Sequence, residues 1–562
     1  MVDRYLLGGT VAPTLSGLTA IGKVDSIAAL KALSPTTLVD KITVEVLSYY
    51  SAATPDGGGG TFEWDSTTSA TDNGGTVILP TGYAGVGRWR RVNPNTVTLR
   101  QFGADGSGND QAFIAAALSS GALVIDGEGL SFTANSSVEV PASAVFQNFQ
   151  LTAGAAGINM VLVNSRCKVL NARLIGTGTV STVERAIYPA ANAVEDVELD
   201  IEISNITYGV HAQPLSGTAL ADAPRRWRGS IHCEDIVGTV GASEGYGVLL
   251  SPALSCNFNV TGKTIARHLV YLSAGARFNK IWADCDDCGN YVVQIAATSP
   301  QSPCIKNEVV VQGRNLTTDV AGQSGHIAIT GISHYNTAVI RGEGNATTYE
   351  AARIEGGSGG PYPLGNQIIN GAIEGQFTGN YVIRMLNADS TRVYGNAIDA
   401  YAASGVIGMT RTGTNGSGHG GYVHDNKIDA QAQAIKGVYN ECNTQPSYIG
   451  PNDIRNNGAA LRVDDQTSGY RMGYSRRVKF SGTTASCVAG SVVDTTPTLT
   501  SAIQVAGRRT NVWITGSSVT MLTNSNVTAM FTAADETHSN FRVFNAHSAD
   551  QTFDYEGAVE GD

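Results

Sequence analysis

A short apolar strand recurs along this chain, and no other feature constrains its fold as strongly. Counted on Val169, Val197, Trp227, Phe258, Ile281, Val309, Val339, Ile368, Val393, Val423 and Ile449, it returns every 23 to 31 residues, 28 on average. A period of that size is the spacing of one supersecondary unit stacked on the next. No helical period runs inside the repeats, so the unit is made of strands and turns. The stretch from 120 to 468 therefore reads as an all-β solenoid, a parallel β-helix whose coils pair with the coils before and after them. At ~4.8 Å per coil, the eleven anchors span roughly 50 Å.

The composition suits that reading. Gly accounts for 66 of 562 residues and only 15% are charged, against a usual ~25% charged. Corners take the glycines, because φ can be positive there, and strand pairing leaves little need for long solvated side chains. A 42% hydrophobic content supplies a core and excludes disorder. The net charge of −11 argues against a nucleic-acid or anionic-membrane partner. No apolar run reaches the ~18 residues of a membrane span, and the N-terminus lacks a signal-peptide pattern. We expect synthesis in a cytoplasm without membrane insertion. The eight cysteines are sparse, and the Cys285-Cys288 pair has no second pair to complete a zinc site. Buried free thiols are expected, with no metal and no cofactor.

Both ends depart from the repeat. Residues 1–95 hold one short helix from Ser26, a possible N-cap, to Leu33, then brief strands broken by glycine turns. The Asp56-Gly57-Gly58-Gly59-Gly60 loop lacks the Lys-Ser/Thr pair of a phosphate loop and reads as a turn. Residues 96–119 carry a second short helix, with Asp110 as its N-cap, placed like a lid on the first coil. Residues 469–562 alternate without the period, as in Val478-Lys479-Phe480 and Val512-Trp513-Ile514, and read as a separate β-sandwich.

Three stretches resemble bacteriophage tailspikes with a pectate-lyase-like β-helix. Tyr50 to Val92 carries Asp56-Gly57-Gly58-Gly59-Gly60, Phe62-Glu63-Trp64-Asp65, Asp72-Asn73-Gly74-Gly75 and Gly87-Arg88-Trp89-Arg90 in the order of the linker ahead of many such β-helices. Phe102-Gly103-Ala104-Asp105-Gly106 is similar to the opening motif of that superfamily, although its usual acidic-Thr pair is reduced to Asn109-Asp110. Ala266 to Gly275 is similar to a coil of phage tail proteins. The resemblance implies a right-handed single-stranded β-helix assembled as a homotrimer. It implies attachment to the virion tail or baseplate through the N-terminus, and a C-terminal domain for trimerisation or glycan binding. It implies action at the outer surface of the target cell, on a bacterial surface polysaccharide, capsule or O-antigen. Depolymerisation by glycoside hydrolysis is the expected activity. A polysaccharide lyase and a non-catalytic adhesin of the same shape are the alternatives.

Hydrolysis needs two carboxylates flanking one bond. The densest acidic spot is Asp284-Cys285-Asp286-Asp287, where alternation turns Ile281 and Ala283 inward and Asp284 outward. Asp284 and Asp287 are the expected acid/base pair, with Glu308 and Glu343 as alternates from neighbouring coils. An ordinary solvated turn is the competing reading. Six residues after the anchors from Phe258 to Val423 stand Thr264, Asp287, Asn315, Asn345, Glu374, Asp399 and Asp429, either a groove floor or a corner ladder serving turn amides, while upstream the same position holds Ile175, Ile203 and Cys233. His268 and Tyr271, beside Arg267, offer the base, phenol and cation a lyase needs, or form part of a hydrogen-bonded wall. Residues 341–366, with Arg341, Tyr349, Glu350, Arg353, Glu355 and Tyr362, read as a sugar-binding lip or a plain loop. Arg314, Arg353, Glu355 and Glu374 complete the expected substrate contacts.

Overall fold

The computed structural model describes residues 22–35, 38–238, 244–317, 323–357, 362–411, 421–441, 447–450 and 452–455. After these it describes only the strands Val463–Asp465, Arg476–Thr483, Val492–Thr495, Arg509–Ser517, Val527–Ala534, Ser539–Asn545 and Phe553–Gly561. The chain divides into two compact units, 1–270 and 271–562.

The first unit opens with a five-stranded sheet in the order Gly22–Val24, Thr43–Val46, Gly60–Asp65, Arg88–Arg91, Val77–Ile78. Ser26 caps the helix Ile27–Lys31 as expected, accepting the Ala29 N–H. Trp64 and Trp89 meet edge to face with ring centroids 5.4 Å apart in the core. The glycine loop is a turn: the Asp56 carboxylate accepts the backbone N–H groups of Tyr49, Tyr50 and Gly58. Glycines stand there because a Cβ on Gly58 or Gly59 would lie 2.3 Å from a backbone carbonyl oxygen, of Arg100 or Val46 respectively. The helix Gln111–Leu118 follows. Asp110 does not cap it with its side chain. Its carboxylate instead accepts the N–H groups of Asp105, Gly106 and Thr133, tying the Phe102–Gly106 loop to the first coil.

Coils follow. In the first unit Val124–Ala134, Val145–Ala153, Lys168–Ile175, Glu198–Ile206, Arg228–Ile236 and Asn257–Ile265 stack in parallel as one sheet. Val138–Val140, Asn159–Val163, Arg185–Pro189, Tyr208–Ala212 and Tyr246–Leu250 stack as another. The second unit repeats the pattern, with Lys280–Cys288, Glu308–Arg314 and Thr337–Gly344 on one sheet and Tyr291–Ala297, Gly325–Gly331, Glu350–Glu355, Tyr381–Leu386 and Gly405–Thr410 on the other. The chain is thus a parallel β-helix. Beyond residue 475 pairing turns antiparallel, in two three-stranded sheets.

The register corrects the anchor alignment. Val169 pairs with Leu199, Gly229 and Phe258, so Val197 and Trp227 stand two residues early. Val309 pairs with Ala338, one residue before Val339. A slip of one exchanges the two faces of a strand, so Val339 points outward and Ala338 is fully buried. The polar column splits in consequence. Thr264, Asp287 and Asn315 have φ of 55°, 65° and 51° and form left-handed corners, as the ladder reading expects. Asn345 accepts the N–H groups of Thr347 and Thr348 in a turn. Glu374, Asp399 and Asp429 instead continue in register from Glu343 on the sheet surface.

Two asparagine ladders, buried except at half-buried Asn452, hold the second unit. The Oδ1 of Asn307 accepts the backbone N–H and the Nδ2–H of Asn279, at 3.1 and 2.9 Å. Asn336 serves Asn307, and Asn366 serves Asn336, in the same way. Further on, each coil strand breaks in two, for example into Thr391–Tyr394 and Ala397–Tyr401. There Asn396, Asn426 and Asn452 form a second ladder across the break. Six of the eight cysteines, 167, 233, 256, 285, 288 and 304, are free and buried as expected; 442 and 487 lie outside the described residues.

Asn307→Ala strands the Asn279 N–H and the Ala276 carbonyl, which Asn307 also bonds. Each such buried group costs ~1–3 kcal/mol. We expect a loss of about 2–5 kcal/mol, measured as a lowered urea midpoint, while Asn307→Gly on the same chain is expected to fare no better.

Candidate functional site

The expected site residues do not share one face. Asp284 lies half-buried on the strand Lys280–Cys288, next to Gln312 in register. Asp287, three residues on, sits in the left-handed corner, where its carboxylate accepts the Thr317 hydroxyl at 3.2 Å. The two therefore do not converge as an acid/base pair. Glu308 pairs with Lys280 at 3.3 Å, four residues before the Asp284 level, or ~13 Å along the strand. Arg314 lies 3.9 Å from Asp286. Glu343 and Glu374 do come together, as register neighbours on successive coils.

His268 is fully buried and stacks on Tyr246 at 5.7 Å, so it is a wall residue and offers no base to substrate. Tyr271 is half-buried on the same strand, His268–Ser273. The proposed lip at 341–366 is mostly regular strand, Thr337–Gly344 and Glu350–Glu355, with 358–361 outside the described residues. Arg353 is spoken for: it bonds Glu350 and Glu355 and lies over the rings of Tyr291 and Tyr349. The Tyr291 hydroxyl donates to the same Glu350. Burial pushes the Glu350 carboxyl up to about 7, against the opposing pull of Arg353 and the Tyr291 hydroxyl.

The pattern of charge pairing picks out a different place, in the first unit. Lys168, Glu198 and Arg228 are register neighbours, and Glu198 bridges both cations at 3.0 and 2.9 Å. The next outward position holds Asp200, with Ser230 and Asn259 on the following coils. The one after holds Arg173, Glu202, His232 and Thr261 in register. Arg173, Asp200 and Glu202 are exposed and make no hydrogen bond or ion pair among the described residues. His232 shares one hydrogen bond, Nδ1 to the Thr261 hydroxyl at 2.8 Å.

These side chains line a groove of about 390 Å³. Its shape follows from the backbone. Strands Val145–Ala153 and Lys168–Ile175 carry a bulge, at Asn148 and Asn171, with φ of 57° and 47°. Strand Glu198–Ile206 lacks it, and the register shifts between Leu170 and Ala172. A bulge bends its strand, so the sheet surface steps where bulged and straight strands meet. The Asn171 amide donates to Asn148, and the Asn148 amide to Asp126, fixing the upper wall. Sequence reasoning missed this site. Its only sequence signal is Glu198-Leu199-Asp200-Ile201-Glu202-Ile203, which places three acids on one face.

Residues 23–94 match the family described as the phage tail protein small four-stranded beta-sheet domain. The resemblance to phage tail proteins, carried by the linker motifs, is thereby borne out. No curated protein matches the chain. Among solved structures, the Acinetobacter phage vB_ApiP_P1 tailspike is 13% identical, with 96% of this chain and 98% of that one covered and a TM-score of 0.42. The Pseudomonas phage phi297 tailspike is 11% identical, with 84% and 100% covered and a TM-score of 0.48. A tailspike of E. coli bacteriophage HK620, in complex with a hexasaccharide, is 12% identical, with 87% and 97% covered and a TM-score of 0.44.

The raised Glu350 gives a signed pH dependence. Its folded value of about 7 exceeds the ordinary 4.5, so the folded chain holds a proton that the unfolded chain releases. Stability from this group is lost as pH rises from about 4.5 to 7 and is flat above. In melting scans, Glu350→Gln is expected to flatten that decline, with little change in melting temperature at about pH 4.

Proposed function

We propose that the chain is a phage tail protein that binds and depolymerises a bacterial surface polysaccharide, with the first-unit groove as its active site. The observation that carries this reading is the set of unpaired charges. Arg173, Asp200 and Glu202 stand uncommitted in a groove, Asp200 one outward position and Arg173 and Glu202 two from a column where charges neutralise each other. Unpaired charges with amide and hydroxyl neighbours suit a ligand rich in hydroxyls. Asp200 and Glu202 project from alternate positions of one strand, ~7 Å apart at their Cα atoms. Carboxylates at such spacing bracket retaining and inverting hydrolysis. Glu202 lies beside His232 in register, so the two carboxylates meet different surroundings, as an acid and a base must.

The same column also favours a second reading. Arg173 and His232 supply the cation and base of a lyase acting on a uronate. The N-terminal module supports attachment to the virion tail. Assembly as a homotrimer is part of the proposal.

Asp200→Asn and Glu202→Gln are each expected to lower release of reducing ends from polysaccharide by about 10²–10⁴, with binding retained. Under the lyase reading His232→Ala abolishes activity, and products carry the ultraviolet absorbance of an unsaturated uronate. Retained turnover in all three variants removes the groove as active site. Sedimentation is expected to give three times the chain mass of 58.6 kDa; a stable monomer refutes the trimer.

A further inference from the structure

Trp282 is one of five large aromatic side chains, with Tyr50, Phe278, Tyr335 and Tyr422, that stay exposed among the described residues. It stands mid-strand, outward, and is 51% exposed. Val310 and Val339 follow it in register on the next two coils, both half-buried. Parallel to this apolar strip, one outward position along, runs Asp284, Gln312 and Arg341. Asp284 Oδ1 is buried and accepts no hydrogen bond among the described residues. An orphaned carboxylate oxygen at the foot of an exposed indole is costly unless something donates to it.

We infer that Trp282 and Asp284 form a sugar-binding subsite in the second unit, with the indole as stacking platform and Asp284 as hydroxyl acceptor. The inference rests on the depolymerase reading and adds a second contact for the same polysaccharide. A sugar ring has an apolar face and an edge of hydroxyls, and the two strips offer these complements side by side. The Asp284 oxygen needs a donor, which a hydroxyl is. A second copy of the chain is the weaker occupant. One indole contributes at most ~250 Å², and two valines add little, while a stable interface takes ~800 Å² from each partner. In this role Asp284 binds substrate and transfers no proton.

The test uses the full chain and a printed array of purified bacterial capsular and O-antigen polysaccharides. Wild type, Glu202→Gln, Trp282→Ala, Trp282→Phe and Asp284→Ala are compared for binding, and each for sedimentation mass. Wild type and Glu202→Gln are expected to bind the same glycan. Trp282→Ala and Asp284→Ala are expected to bind it about tenfold more weakly, the scale of one lost ring stack or hydrogen bond, with Trp282→Phe largely restored. Undiminished binding by Trp282→Ala overturns the subsite and leaves the groove reading standing. A lower sedimentation mass for Trp282→Ala overturns it in favour of a subunit contact. Binding of no glycan by wild type overturns the depolymerase reading, and the subsite with it.

Discussion

Everything in this chain hangs on the parallel stacking of one coil on the next. A coil cannot satisfy its own backbone; each strand N–H and C=O is met by the neighbouring coil ~4.8 Å away. That demand is uniform along strands and fails at corners, where the backbone turns out of the ladder. The buried asparagines repair the failure. Asn307, Asn336 and Asn366 each present one carboxamide oxygen to the asparagine of the coil before, the first of these being Asn279. Where later strands break in two, Asn396, Asn426 and Asn452 take over the same task. A buried amide that both donates and accepts can be copied from coil to coil, because each Oδ1 meets the preceding N–H.

The same stacking decides what the surface can do. Residues some thirty apart in sequence become neighbours, so a site is a set of columns and not a stretch of chain. Arg173, Glu202, His232 and Thr261 form such a column. Columns of like chemistry arise as readily: Glu343, Glu374, Asp399 and Asp429 stack on successive coils. Distinguishing a site from decoration therefore depends on pairing. Glu198 is neutralised by Lys168 and Arg228, whereas Asp200 and Glu202, on the same strand and face, are not.

Register was the point at which the sequence reading lost accuracy. A signal for it was present: each ladder asparagine precedes an inward anchor by two, as Asn279 precedes Ile281, Asn307 precedes Val309, and Asn366 precedes Ile368. Anchoring on those asparagines would have placed Ala338 after Asn336 and turned Val339 outward. The acidic run Asp284 to Asp287 drew attention by density along the chain. Density along the chain did not bring Asp284 and Asp287 to one ligand, because Asp287 turns into a corner. His268 was likewise read by residue type, and stacking on Tyr246 consumed it.

The sequence by itself determined the repeat, the all-β class, the turn role of the Asp56 to Gly60 loop and the kinship of the N-terminal module with phage tail proteins. These follow from local pattern: strand period, glycine placement and short motifs act over a few residues. Only the tertiary structure decided which residues face one another. The bulges at Asn148 and Asn171, absent from the next coil, step the surface into a groove. The pairing of Glu198 leaves Asp200 and Glu202 uncommitted, and a one-residue slip sends Val339 outward. Each of these is a relation between coils, and a side-chain period of two makes every such relation turn on a single residue.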